Sequence, residues 1–350
     1  MSSHTIQALR IHARGDLRLE DIPARRPEPG QAVVRIEYGG ICGSDIHYWR
    51  DGAVGASVLK APMTLGHEIV GTVLRAAAGG PGPAAGTPVA VYPALVCGRC
   101  RWCRDGQSHL CAECRYLGSA AQWPHTDGGF ATELTVAATR LIPLPPGLPL
   151  KRAALAEPAG VAWHAVSRAG AVGAQLAGAR VTVVGGGPIG LLVAAVARYR
   201  GAGPVGVTDV RARPLQVATE MGLDQAGLGS EAGGPGPAPE ADIVFECSGA
   251  PAGLATALRS VRRGGTVVAV GQLPRADAAE PAWRIVTGEL TVTGSLRLDG
   301  ELPDALSFLA DPAARVDPVI SHVYPLARAA EAFEIAADSD VSSKVLLRCT

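Results

Sequence analysis

Two glycine-rich stretches supply side chains able to hold a metal ion. Gly40-Ile-Cys-Gly-Ser-Asp-Ile-His-Tyr-Trp49 carries a thiol at Cys42, and Gly66-His-Glu-Ile-Val-Gly71 carries the imidazole of His67 beside the carboxylate of Glu68. These are ligand types accepted by zinc, a borderline-soft ion with no redox chemistry of its own. Three protein ligands would leave one coordination position open for a reaction. A lone cysteine and histidine are nonetheless more often core residues, so other motifs must carry the metal reading.

The segment from Cys97 to Cys111, CGRCRWCRDGQSHLC, is the strongest of these. Cys97, Cys100 and Cys103 form two overlapping CxxC steps, and Cys111 returns after seven residues. That pattern fits a closed tetrahedral zinc site with four sulfur ligands, which staples a loop and performs no chemistry. Cys114 and His109 lie alongside as competing ligands but read as bystanders, and Cys247 and Cys349 read as core residues.

A third motif points to a nucleotide. Gly185-Gly-Gly-Pro-Ile-Gly190 follows the apolar run 180–185 and leads into the apolar segment 191–200. Strand, GxGxxG turn and helix in succession form the dinucleotide fingerprint. Gly185 makes the tight turn, Gly187 lets backbone approach the pyrophosphate, and Gly190 allows close helix packing. The helix N-terminus, opened by Pro188 and Ile189, attracts the anion. Asp209 follows Gly190 by nineteen residues, at the end of the next apolar run. A carboxylate there accepts hydrogen bonds from ribose hydroxyls and repels a 2′-phosphate, favouring NAD over NADP. Arg211 and Arg213 follow closely and temper that preference.

These motifs need scaffolds of two kinds. Alternating segments at 32–38, 69–76, 88–92 and 130–136, separated by Gly and Pro turns, predict an irregular all-β barrel. Pro143-Leu-Pro-Pro-Gly-Leu-Pro149 marks a boundary. Beyond it helices at 153–168, 191–200, 213–221 and 252–261 alternate with strands at 180–185, 204–209, 241–247, 265–270 and 290–294. That order predicts a parallel doubly wound sheet. Residues 226–240, rich in Gly and Pro, predict a flexible loop.

The chain has 350 residues, enough for two domains; 47% are hydrophobic, 18% are charged and the formal net charge is zero. This balance gives no electrostatic footprint for nucleic acid or an anionic membrane, so small molecules or further copies of the chain are the expected partners. No signal peptide or spanning segment is recognisable, and a cytoplasmic location is expected. The eight cysteines should stay reduced there.

Together the motifs resemble those of the zinc-containing medium-chain dehydrogenases, along essentially the whole chain. Within that family the polyol branch is the most similar, and within the branch the L-idonate 5-dehydrogenases. The resemblance is carried by residues 39–48, 60–68, Leu117-Gly-Ser119, Ala156-Glu-Pro158, Gly294-Ser-Leu-Arg297 and Pro124-His-Thr-Asp-Gly-Gly-Phe130, the last favouring idonate. It implies a GroES-like catalytic barrel (1–155 and 296–350, with a structural zinc lobe at about 95–115) and an inserted Rossmann NAD-binding domain (156–295). Cys42 and His67 would bind the catalytic zinc with Glu68 as a further ligand. Glu157 would ligate it directly or through water, where alcohol dehydrogenases have a cysteine. Ser44 and His47 would relay the released proton, and Tyr48 and Arg297 would contact substrate.

The implied reaction is reversible oxidation of L-idonate to 5-keto-D-gluconate with NAD, NADP being possible; the alternative is a neutral polyol such as sorbitol or xylitol. A substrate carboxylate needs a counter-charge, for which Arg297, His125 and Arg115 are candidates. Dimers or tetramers are implied. Residues 226–240 and the tryptophans at 123 and 163 depart from the family pattern, which bears on the sheet edge and the pocket shape.

Overall fold

The computed structural model describes residues 4–228, 240–273 and 282–350. The chain forms two compact units: one holds residues up to Glu157 with Ile320–Asp338 and Lys344–Thr350, the other Pro158–Val319 with Ser339–Ser343.

The first unit is built round the strand Gln31–Gly40. It pairs with Glu68–Arg75 on one side and Lys344–Arg348 on the other, in a sheet that continues through Pro88–Val91 to Leu141–Pro143 and through Lys344–Arg348 to Ile320–Pro325. Glu133–Ala137 also pairs with Gln31–Gly40, wrapping the sheet toward a barrel. Val34 and Ile36 enter a core with Leu9, Ile11, Met63, Phe130 and Phe333. Gly40 is in register with Glu68 on one neighbour and Leu346 on the other. The N-terminal segment forms a hairpin, Thr5–Ala13 with Asp16–Pro23, turning near Gly15 at φ +75°.

The second unit carries a six-stranded parallel sheet in the order 225–228, 205–209, 181–184, 241–246, 261–269, 291–294. Its order reverses direction at Val181–Val184, which lies between Val205–Asp209 and Ala241–Glu246. Open α/β sheets bind ligands at such a switch point, outside the carboxyl ends of the strands.

Two expectations need correction. Gln225–Leu228 is a strand paired with Gly206–Asp209, so the expected loop at 226–240 begins too early; residues 229–239 lie outside the described ones. Parallel pairing uses backbone groups, which a Gly-rich sequence still supplies. Residues 296–319 belong with the second unit, not with the barrel. Helix Leu302–Ala310 sends Phe308 against Trp163 and Tyr199, with ring centroids 6.2 Å and 5.1 Å away. Trp163 thus serves helix packing in this unit, with Arg200 over its ring. His164 and Glu301, 2.5 Å apart and both largely buried, tie the same two helical segments together.

Candidate metal centres and nucleotide site

The Cys42, His67 and Glu68 ligand atoms lie within 4.8 Å of one another. Cys42 is the N-cap of helix Gly43–Asp51, and Glu68 opens the strand beside Gly40. Asp45 joins the two segments: its carboxylate accepts from the backbone N–H of Cys42 at 2.9 Å and of Gly66 at 3.2 Å. Gly66 itself sits at φ +95°, and a Cβ there would overlap the Phe130 ring. Only glycine therefore allows the turn that presents His67.

Glu157, buried, stands outside the trio and accepts from the Tyr116 hydroxyl at 2.6 Å. The Tyr116 ring also packs edge-on against His67, 5.6 Å between centroids. Burial pushes the Glu157 and Asp45 carboxyls up. Burial also works against a charge on His67, but Cys42, Asp45 and Glu157 outweigh it and hold the imidazole up to about 10. A cation bound among these groups takes the place of that proton. A cysteine sulfur, an imidazole and the Glu68 carboxylate within 4.8 Å of one another suit zinc.

Other expected residues are more scattered. His47 is exposed and its Nδ1 pairs with Asp51 at 2.9 Å. Tyr48 is buried, its hydroxyl accepting from the N–H of Ala120 at 2.9 Å. Ser44 is half-buried in the same helix. His125 is committed at both ring nitrogens: Nε2 accepts from the N–H of Lys60 at 2.8 Å, and Nδ1 meets the carbonyl of Gln122 at 3.2 Å. Both His125 ring nitrogens are thus taken up by backbone groups. Arg115 donates to the carbonyls of Pro124 and Trp123. Arg297 is half-buried with left-handed backbone, φ +57°.

The four cysteines expected to form a closed site are brought together. Sulfur separations of 3.9 Å (Cys97 to Cys103) and 3.5 Å (Cys100 to Cys103) bracket the ~3.8 Å edge of a tetrahedron with ~2.3 Å zinc–sulfur bonds. Backbone N–H groups of Arg99 and Cys100 draw the Cys97 thiol down to about 6, and the N–H of Cys97 points at the Cys111 sulfur. Cys114 and His109 stand outside the quartet. Neither helical turn of the lobe, Arg101–Arg104 nor Ser108–Leu110, buries a side chain. With so little side chain buried, the lobe would depend on an ion held by the four sulfurs. Cys100→Ser is expected to remove one zinc per chain and open residues 97–111 to proteolysis, as read by metal analysis and limited trypsinolysis.

In the second unit Gly185, at φ +95°, turns the chain from strand Val181–Val184 into helix Pro188–Tyr199. A Cβ at Gly190 would overlap the carbonyl oxygen of Gly185, whereas one at Gly187 would meet nothing within 4 Å. The first glycine lets helix and strand approach; the second leaves a bare N-cap with Pro188 and Ile189 opening the helix, as a phosphate site requires. A cavity of about 280 Å³ adjoins the turn, lined by Gly185, Thr208, Asp209, Ser248 and Thr256 among others. Asp209 accepts from the N–H of Gly186 at 2.7 Å and of Arg211 at 2.9 Å. Arg211 pairs with Asp340 and Arg213 with Glu220, so both guanidiniums have carboxylates of their own. Buried Glu246, absent from the sequence reading, accepts from the N–H groups of Ser248 and Gly249 and shapes the cavity rim.

Residues 28–146 match the Alcohol dehydrogenase GroES-like domain and residues 188–311 the Zinc-binding dehydrogenase family. The L-idonate 5-dehydrogenase (NAD(P)(+)) of Escherichia coli K12 is 36% identical over 324 residues, covering 90% of this chain and 91% of that protein. This chain belongs to the zinc-dependent medium-chain alcohol dehydrogenases. The sorbitol dehydrogenase of Gallus gallus is 34% identical, covering 98% of this chain and 96% of its own. Among solved structures, the Escherichia coli L-idonate 5-dehydrogenase superposes with a TM-score of 0.91 at 33% identity, over 99% of each chain. A zinc-binding dehydrogenase from Sinorhizobium meliloti bound to NADP gives a TM-score of 0.87 at 30% identity, again over 99% of each. The fold is thus the GroES-like and Rossmann pairing, and the activity is zinc-dependent, NAD(P)-linked dehydrogenation of an alcohol or polyol. Among the described residues no helix is long and apolar enough to cross a membrane.

Proposed function

We propose that the enzyme oxidises the carbon-5 alcohol of L-idonate to 5-keto-D-gluconate, reversibly, with NAD as preferred acceptor. The observation that carries this reading is the 36% identity to an L-idonate 5-dehydrogenase over 90% of the chain. The donor set agrees with a polyhydroxylated substrate, since buried Glu157 rather than a thiol accompanies Cys42 and His67. The neutral polyol alternative draws on the nearly equal similarity to a sorbitol dehydrogenase.

In this reading Cys42 and His67 hold the catalytic ion with Glu68 as a further ligand and Glu157 ligating directly or through water, and Cys97, Cys100, Cys103 and Cys111 hold the structural one. Bound zinc supplies Lewis acidity to a substrate hydroxyl, and the nicotinamide supplies the hydride acceptor. Ser44 and His47 carry the released proton outward, Asp51 orienting the His47 ring through Nδ1. Tyr48 and Arg297 contact the substrate; Arg297 faces its carboxylate, because His125 and Arg115 are both engaged by backbone groups. Gly185, Gly187, Pro188, Ile189 and Gly190 seat the pyrophosphate and Asp209 the adenosine ribose. The chains associate as dimers or tetramers, which sedimentation distinguishes.

Initial rates of NADH formation by zinc-replete protein with L-idonate, sorbitol, xylitol and D-gluconate test the assignment. A kcat/KM for L-idonate at least about tenfold above the polyols, about 1.4 kcal/mol of discrimination, is expected; preference for the polyols overturns the idonate reading. Asp209→Ala is expected to lower kcat/KM with NAD by roughly tenfold to a hundredfold, the worth of a charge-assisted hydrogen-bond set. The same variant should gain with NADP, measured in parallel.

A further inference from the structure

Asp340 lies in the short stretch Ser339–Ser343, which belongs with the second unit although the chain on both sides of it belongs to the first. Its carboxylate accepts from the Arg211 guanidinium at 2.5 Å, across a sequence separation of 129. Arg211 stands two residues after Asp209, whose Oδ1 accepts from the Arg211 N–H at 2.9 Å and whose Oδ2 accepts from the Gly186 N–H at 2.7 Å. Asp209 and the next residue, Val210, both line the cavity of about 280 Å³ beside the glycine turn. Arg211 follows that lining directly and is the N-cap of helix Ala212–Glu220.

A nucleotide whose ribose is held by Asp209 presents its 2′-oxygen to this corner, where NADP would carry its extra phosphate. An arginine near the acid is what such a phosphate needs, because a guanidinium meets phosphate oxygens with paired N–H donors. Arg211 has the right place in the chain for that task, whereas Arg213 is paired with Glu220 on its own helix. Asp340 occupies Arg211 instead. Two carboxylates then accompany one guanidinium, and both lie within a screening length of a phosphate arriving at Arg211. Without Asp340 the charges balance and the guanidinium can turn. The Arg211 and Asp340 side chains are 44% and 64% exposed, so their pair adds little to stability. Its consequence falls on the choice of ligand, since specificity is gained when the group that a competing ligand needs is already taken.

We infer that Asp340 is a cofactor-specificity residue, which holds the Arg211 guanidinium in an ion pair and so withholds from NADP the cation that its 2′-phosphate requires. The inference rests on the reading of Asp209 as the ribose partner of a preferred NAD.

The test titrates NADH and NADPH into parent and variants by fluorescence, with calorimetry of adenosine 2′,5′-bisphosphate as a readout free of the nicotinamide. Asp340→Ala should tighten NADPH at least about threefold and leave NADH within about twofold, the bisphosphate following NADPH. Arg211→Ala in the parent should change NADPH by less than about twofold, the guanidinium being already taken. The double variant Asp340→Ala/Arg211→Ala should bind NADPH within about twofold of Arg211→Ala alone. A smaller gain for NADPH, an equal gain for NADH, or a larger gain that survives in the double variant overturns the inference. A merely structural Asp340 would move both nucleotides together. If Asp340→Ala does not fold, Asp340→Asn, which keeps an acceptor and removes the charge, is judged by the same outcomes. Parent protein that binds NADPH as tightly as NADH would sink the NAD preference assigned to Asp209, a different failure.

Discussion

Replacing His67 with alanine is expected to lower kcat with the best alcohol substrate by at least about a thousandfold, in the range set by losing several kcal/mol of charge stabilisation. Zinc content should fall from two to one per chain, while the four-cysteine ion and the circular dichroism spectrum remain. The reason lies in how few groups hold the site. Cys42 and His67 stand at the ends of segments joined by one buried carboxylate, Asp45. Alanine at 67 leaves Cys42, Glu68 and Glu157 as a crowded set of anions without the neutral donor that zinc takes with them. Metal analysis and initial rates on the same preparation check both halves. Activity within tenfold of the parent at one zinc per chain would show that the ion lies elsewhere.

The second large effect is structural. Gly190→Val should destabilise the nucleotide-binding unit by about 3 kcal/mol or more, the range for forced overlap in a packed interior. For a unit of this size that corresponds to roughly 6–12 °C in Tm. The added carbons would collide with the carbonyl oxygen of Gly185, and neither backbone can retreat. Gly185 is anchored to Thr208 by a 2.8 Å hydrogen bond, and the helix packs Leu191 and Leu192 fully into the core. NADH affinity should fall more than tenfold in parallel, since the shifted helix carries the phosphate-facing N-terminus. Thermal melts and quenching of NADH fluorescence measure the two effects separately. Gly187→Ala makes the control: its Cβ meets no protein atom, so Tm should hold while nucleotide affinity falls.

What could be read from the sequence follows the range of each interaction. The cysteine quartet and the glycine turn are written within fifteen residues or fewer, and the structure brings both together as spaced. Cys42 and His67 were legible as ligand types. Asp45, which unites their segments, was not, because an acid three residues into a helix reads as an N-terminal cap. Tyr116 and Lys344 were invisible for a different reason. Each reaches the site across a long separation, from residue 116 to 157 and from 344 to 68, and neither belongs to a local pattern. The final strand carries no chemistry in its own text. The boundary at 296 failed similarly, since Phe308 declares its allegiance only through Trp163 and Tyr199.

The pairing of Lys344–Arg348 with the strand at Gln31–Gly40 also bears on how the protein is made. Ile41 and Lys344 are 303 residues apart in sequence, whereas Pro158–Val319 is continuous within the second unit. A ribosome therefore makes Pro158–Val319 before the barrel sheet can gain this strand. Until then only the Tyr38–Gly40 end of Gln31–Gly40 lacks its partner, because Gln31–Arg35 already pairs with Glu133–Ala137. Loop-closure entropy makes such distant pairing slow, and unpaired strand edges invite association.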